Sequence, residues 1–168
     1  MAEYLKTEFL EILANYQGIL HKVNLIYFRN EDDRRENFQE VVFQLWKSFP
    51  RLKNKNSIGS WIYRIAINTS ITKIKSETNI VLNESIPDIR TDSSALDKMM
   101  ENEAVQELMT AIRQLNAIDK AIMLLYLEEK SYEEIAEVIG ITVSNVGARI
   151  SRAKERLKQT LKNLNHEK

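Results

Sequence analysis

Along the first part of the chain the apolar residues Leu5, Phe9, Ile12, Leu13, Tyr16, Ile19, Leu20, Val23 and Ile26 return every three or four positions. That is the period of an amphipathic helix with one buried stripe. A polar break at Asn30 to Asp33 follows, and then Phe38, Val41, Val42, Leu45, Trp46 and Phe49 repeat the period up to Pro50. Proline has no N–H to give and clashes with the preceding turn, so it closes this second helix. Arg51 to Gly59 is rich in Lys, Asn and Ser and has no period, which predicts an exposed loop. A third helix is predicted from near Ser60, with Trp61, Ile62, Ile65, Ala66, Thr69 and Ile74 on it. Ser76 to roughly Leu96 holds Pro87, several acids and only scattered apolar residues, and reads as a linker. Helical spacing resumes at Val105, Leu108, Met109, Ile112, Leu115, Ile118, Ile122, Leu125 and Tyr126, with a break near Asn116 to Asp119 that divides it into two helices.

The next segment carries stronger local signals. Ser131 with Glu134 three residues later fits a capping box, in which hydroxyl and carboxylate each satisfy an unpaired backbone N–H. Ile135, Ala136 and Ile139 form the inner face of the short helix that starts there, Gly140 suits a left-handed helix end, and Ile141 would plug the turn. Thr142 can cap a following helix whose Val146, Ile150, Ala153, Leu157 and Leu161 face inward, which leaves Ser144, Asn145, Ala148, Arg149 and Arg152 outward. A short helix, a glycine turn and a longer helix with basic outward residues form a helix-turn-helix, which lays its second helix in a DNA major groove. Arg149 and Arg152 could meet guanine edges or phosphates, and Asn145 an adenine; the sequence does not choose among these. The expected fold is all-α: two small helical domains over 1–76 and 99–168, joined by a flexible acidic linker over 77–98.

Charge changes the picture. The formal net charge is zero, which taken alone argues against a nucleic-acid partner, yet the charges are segregated. From Arg51 to Lys75 the charged residues are Arg51, Lys53, Lys55, Arg64, Lys73 and Lys75, with no acid among them. From Gly147 to Lys162 they are Arg149, Arg152, Lys154, Arg156, Lys158 and Lys162 against Glu155. Two basic blocks around an acidic middle suggest two contacts with one polyanion. The first block precedes and includes aromatic residues. An unstacked base needs a ring to lie on and amides to read its edge, so Arg51, Lys53, Asn54, Lys55, Asn56 and Ser57 with Tyr63, Arg64 and Asn68 are candidates for strand opening. Large aromatics more often pack than bind, so Trp61 is read as core and Tyr63 as the surface ring.

These residues resemble a known family, the extracytoplasmic-function sigma factors of the sigma-70 class. Glu36 through Trp46 looks like the family's region-two helix, and Ser60 through Asn68 like its melting and minus-ten-reading helix. Ser131 through Ala136, on to Arg156, looks like its minus-thirty-five-reading region four. By resemblance, Glu36, Gln39, Glu40 and Phe43 would dock on the β′ clamp helices of core RNA polymerase, with the β flap as a second contact. The loop from Arg51 to Ser57, with Trp61, Tyr63, Arg64 and Asn68, would hold a flipped base of promoter DNA, and Thr142, Ser144, Asn145, Ala148, Arg149 and Arg152 would read the minus-thirty-five element. An anti-sigma factor is implied as a further partner. Glu36 stands where Asp is usual, Asn116-Ala117 replaces a common Pro-Glu, and Gly147 occupies a place often held by Lys. Gly147 costs a helix about 1 kcal/mol relative to Ala and removes a phosphate contact.

Other classes find little support. The chain has no cysteine, so thiolate metal sites and cysteine nucleophiles do not arise. The histidines, His21 and His166, have no evident partner, and Glu133 and Glu134 are adjacent and splay apart. No catalytic residue, metal ligand or cofactor is expected. The charged N-terminus and the lack of a long apolar run predict a cytoplasmic protein without direct membrane insertion. The main rival is a stand-alone helix-turn-helix regulator that binds DNA without polymerase.

Overall fold

The computed structural model describes residues 2–83 and 102–166, and every regular element among them is helical. They run α1 (Ala2–Tyr27), α2 (Glu31–Ser48), α3 (Ile58–Asn83), α4 (Glu103–Arg113), α5 (Ala117–Leu127), α6 (Tyr132–Ile139) and α7 (Val143–His166). Short 3-10 turns at Phe49–Arg51 and Lys55–Ser57 lie between α2 and α3. The chain clusters into two compact units, the first built on α1 to α3 and the second on α4 to α7. No helix of the described residues is long and apolar enough to cross a membrane.

The first unit packs the predicted stripes together. Leu20, Val23 and Ile26 of α1 are buried with Val41 and Leu45 of α2 and Ile62, Ala66 and Ile67 of α3. Each fully buried Leu or Ile contributes roughly 1.5–3 kcal/mol, so this cluster dominates the stability of the unit. Polar residues run through the same interior. Asn37 Nδ2 donates to Asn24 Oδ1 at 2.7 Å and to Ser70 Oγ at 2.9 Å. Asn24 Nδ2 donates to the Arg34 carbonyl at 3.1 Å, and Ser70 Oγ to the Ala66 carbonyl at 2.7 Å. One side chain from each of the three helices therefore meets at a point where misregister would strand a buried polar atom. Arg34 Nε donates to the Phe28 carbonyl at 2.8 Å, which satisfies an acceptor just past the end of α1.

Three boundaries and one burial differ from the sequence reading: the second helix already starts at Glu31, inside the stretch read as a polar break. The third helix starts at Ile58, ahead of Ser60, and continues to Asn83, into the stretch read as linker. Ser76 to Asn83 contains no proline, so nothing local stops the turn there. The remainder of that linker, 84–98, lies outside the described residues. Trp46, placed in the buried stripe of α2, is 42% exposed. The buried line of that helix runs through Arg34, Asn37, Val41 and Leu45. Trp46, one residue past Leu45, is turned about 100° from it and packs one face on Phe9, ring centroids 5.1 Å apart.

In the second unit Ile112, Ile122, Leu125, Ile135, Val146, Ile150 and Ala153 are almost completely buried. The break at Asn116 is a cap: Asn116 Oδ1 accepts from the Asp119 N–H at 2.9 Å and starts α5.

Candidate nucleic-acid and protein interface

The helix-turn-helix closes as its residues dictate. Ser131 Oγ accepts from the Glu134 N–H at 3.1 Å and begins α6. Gly140 has φ 82°, a left-handed conformation that side-chain-bearing residues rarely adopt. Its N–H and that of Ile141 both reach the Ala136 carbonyl, at 2.8 and 3.1 Å, so the turn is tied back onto α6. Thr142 Oγ1 then accepts from the Asn145 N–H at 3.1 Å and caps α7. Val146, Ile150, Ala153 and Leu157 form the buried face of α7, and Thr142, Ser144, Asn145, Ala148 and Arg152 are exposed.

Arg149 departs from the outward set. Its side chain is 30% exposed, and Nη1 donates to Asp119 Oδ1 at 3.0 Å across to the first turn of α5. The helical period placed it outward because it counts only positions on α7; a partner thirty residues earlier in the chain bends the long side chain inward. Lys154 also has a partner in its own unit, with Nζ 4.4 Å from the centre of the Tyr126 ring. Gly147 lies beside Tyr132, and a Cβ built on it would sit 3.6 Å from Tyr132 Cε2. That is ordinary van der Waals contact.

In the first unit the loop candidates Arg51, Lys53, Asn54, Lys55, Asn56 and Ser57 are all exposed. Asn54 Oδ1 accepts from the Asn56 N–H at 3.0 Å and caps the second 3-10 turn, and Lys55 pairs with Glu8 of α1. Arg64 and Asn68 of α3 are exposed as expected. Tyr63 is not: it is 2% exposed, while Trp61 is half-buried with its ring 6.3 Å from that of Phe49. The surface reading of Tyr63 is thus corrected, while Trp61 packs on Phe49 and remains partly open. The buried face of α3 runs Ile62, Tyr63, Ala66, Ile67, Ser70, and Tyr63 belongs to it because Ala66, Ile67 and Ser70 follow it at spacings of three, four and seven.

On α2, Glu36, Gln39, Glu40 and Phe43 fall at spacings of three and four, and all are exposed. They form one stripe. Phe43 is 56% exposed, and beside it Phe9, Leu10, Val42 and Trp46, with Lys6 and Gln39, line a shallow apolar groove between α1 and α2. Sequence reading named Gln39 and Phe43 of this groove and missed the rest, because Phe9, Val42 and Trp46 fit the buried stripes by periodicity and Lys6 and Leu10 carry no signal of their own. Glu36 is anchored from α3: Lys73 Nζ lies 2.9 Å from its Oε2 and 3.6 Å from Glu77 Oε1. The hydrogen bond to Lys73, and then the charge of that ammonium, hold the Glu36 carboxyl below the ordinary carboxylate range.

The arrangement defines a class first: a two-unit helical protein whose second unit carries a helix-turn-helix and whose first unit has an exposed acidic and apolar stripe on α2 and an exposed basic loop. The family model for sigma-70 region 2 matches residues 12–80, and that for sigma-70 region 4 matches residues 105–157. Among curated relatives, the "ECF RNA polymerase sigma-E factor" of Haemophilus influenzae is 26% identical over 171 residues, covering 95% of this chain and 90% of that protein. The "RNA polymerase sigma factor SigZ" of Bacillus subtilis is 28% identical over 167 residues, covering 98% and 89%. In fold the chain is similar to the sigma factor RpoE of Bartonella quintana, solved with the anti-sigma factor NepR. That match has a TM-score of 0.73 at 18% identity, over 96% of this chain and 98% of that one. It is also similar to CnrH, solved with the cytosolic domain of CnrY, with a TM-score of 0.66. The chain belongs to the sigma-70 family, in its extracytoplasmic-function group.

Proposed function

We propose that this sigma factor docks on core RNA polymerase through the outer stripe of α2 and directs initiation by two DNA contacts, neither of which involves catalytic chemistry of its own. Glu36, Gln39, Glu40 and Phe43 make the polymerase contact on the β′ clamp helices. The Arg51 to Ser57 loop, with Trp61, Arg64 and Asn68, takes a base of the minus-ten element as the strands part. Exposed residues of α7 read the minus-thirty-five duplex. The half-buried Trp61, and not the buried Tyr63, then supplies the aromatic face. Joining two weak modules makes the second contact intramolecular, so neither unit has to bind tightly alone. Such a factor works in the cytoplasm, with the polymerase.

The observation that carries this reading is the α2 stripe. Four side chains of the types expected for polymerase docking are all on the open face of one helix, continuous with an apolar groove that a protein partner would cover. The same exposed apolar surface supports an anti-sigma factor as a further partner, the kind of partner with which RpoE was solved.

The test is equilibrium binding of labelled protein to purified core polymerase, comparing the natural chain with Gln39→Lys combined with Glu40→Lys. Both positions are exposed, so thermal unfolding should stay within about 0.5 kcal/mol of the natural protein, while polymerase affinity falls about tenfold or more. Unchanged affinity would reject α2 as the docking face.

A further inference from the structure

We propose that Asp119 and Arg149 form a positioning pair that sets the stance of α7 on its scaffold, so that Arg149 governs promoter selectivity through Asp119 and without touching DNA. The inference rests on α7 being the minus-thirty-five reader.

Three observations carry it. First, the Asp119 carboxylate is held on both oxygens: Oδ1 accepts from Arg149 Nη1 at 3.0 Å, and Oδ2 from Asn116 Nδ2 at 2.8 Å. Asn116 is itself fixed as the cap of α5, bonded to the Asp119 N–H. The acid is therefore an immobile anchor in the first turn of α5, where the helix dipole favours a negative charge. Second, Asp119 is only 14% exposed at its side chain and Arg149 30%. Charge-assisted hydrogen bonds shielded in this way are stronger than exposed ion pairs. Third, Arg149 Nε is buried with no acceptor. The head group is turned into the unit, away from the exposed set of Ser144, Asn145, Ala148 and Arg152.

For Arg149 to reach DNA it would have to abandon Asp119. That would leave a largely buried carboxylate without its counter-ion, beside a polyanion. The pair consequently stays closed in the bound state. Arg149 precedes Ile150, which is 1% exposed in the core of the unit, so the bond fixes α7 next to its packing face. Asn145, Ala148 and Arg152 lie within one turn of it. Base-edge hydrogen bonds weaken steeply with misalignment, and a recognition helix that tilts loses discrimination at several base pairs together.

The experiment is transcription by the reconstituted holoenzyme from a library of minus-thirty-five sequences with a fixed minus-ten region, reading the transcripts by sequencing. Asp119→Asn, Arg149→Gln and the double variant are compared with the natural chain, with Arg149→Lys as the conservative rescue. We expect Asp119→Asn and Arg149→Gln each to reduce the ratio of best to median sequence about tenfold. The loss should fall over the same base pairs, and the double variant should be no worse than either single one. Arg149→Lys should regain part of the selectivity, and only where Asp119 is present. Loss of preference at one base pair in Arg149→Gln, with Asp119→Asn unaffected or binding more tightly, would make Arg149 a base reader and overturn the proposal. A uniform drop in yield with an unchanged sequence profile would reduce the pair to a folding contact and overturn it as well. If the natural chain itself directs no transcription from any library member, the sigma reading falls, and the positioning role with it.

Discussion

Replacing Asn37 by alanine should cost the first unit about 2–4 kcal/mol, far more than removal of a typical surface amide. Asn37 is completely buried, and its amide nitrogen serves Asn24 Oδ1 at 2.7 Å and Ser70 Oγ at 2.9 Å. Truncation removes two hydrogen bonds, each worth about 0.5–1.5 kcal/mol net, and strands the Asn24 oxygen, at about 1–3 kcal/mol. Against this, Asn37 Oδ1 is itself buried without a donor, so its removal returns about 1 kcal/mol. The assay is built into the chain. Its two tryptophans are Trp46 and Trp61, whose rings pack on Phe9 and Phe49 of the first unit. Tryptophan emission during urea unfolding therefore follows that unit alone. Asn37→Asp supplies a sharper control. It keeps the shape but replaces the donor by a carboxylate facing Asn24 Oδ1, so its pKa in the folded state should be raised. A raised folded pKa means that stability is present at low pH and lost as pH rises through that pKa. The Asp variant should accordingly regain stability on acidification, and the Ala variant should not. A loss below about 1 kcal/mol for Asn37→Ala, or no acid recovery in Asn37→Asp, would refute the account of this network.

Other outcomes follow from the same structure. Gly147→Ala should stabilise the second unit by about 0.5–1 kcal/mol in thermal unfolding followed by circular dichroism, since the added Cβ meets Tyr132 only at ordinary contact distance. Gly147→Lys should steepen the salt dependence of minus-thirty-five binding by about one phosphate contact, which a salt titration of holoenzyme on promoter DNA measures. Because Glu36 titrates below the ordinary range through Lys73, its contribution to stability is present above the unfolded carboxylate pKa and lost as pH falls through the lowered folded one. NMR titration should show Glu36 returning to the ordinary range in Lys73→Met. Ser131→Ala removes the cap on α6 and should cost about 1 kcal/mol in unfolding of the second unit.

The elements and the turn chemistry were legible in the sequence because they are local. Ser131, Gly140 and Thr142 each act within a few residues of where they stand; Gly140 and Thr142 do what their spacing implies, and of the capping box only the Ser131 hydroxyl half forms. Side-chain direction was less legible wherever a distant partner decides it. Arg149 is drawn inward by Asp119, and Asn24, Asn37 and Ser70 meet only because three helices bring them together. The burial of Tyr63 has a similar cause. Both rings fit a helix, and the choice of buried face belongs to the packing of α1 and α2 against α3. Periodicity likewise took Trp46 for core, since apolar character alone does not separate an exposed apolar surface from an interior.

The most direct test of the central claim is run-off transcription with purified core polymerase on a promoter library, with and without this protein. The account predicts transcripts that depend on the protein, share paired minus-ten and minus-thirty-five elements, and disappear with Gln39→Lys and Glu40→Lys combined. Absence of protein-dependent transcripts from a competent cognate core, with the protein alone protecting duplex DNA, would contradict it and leave a stand-alone regulator.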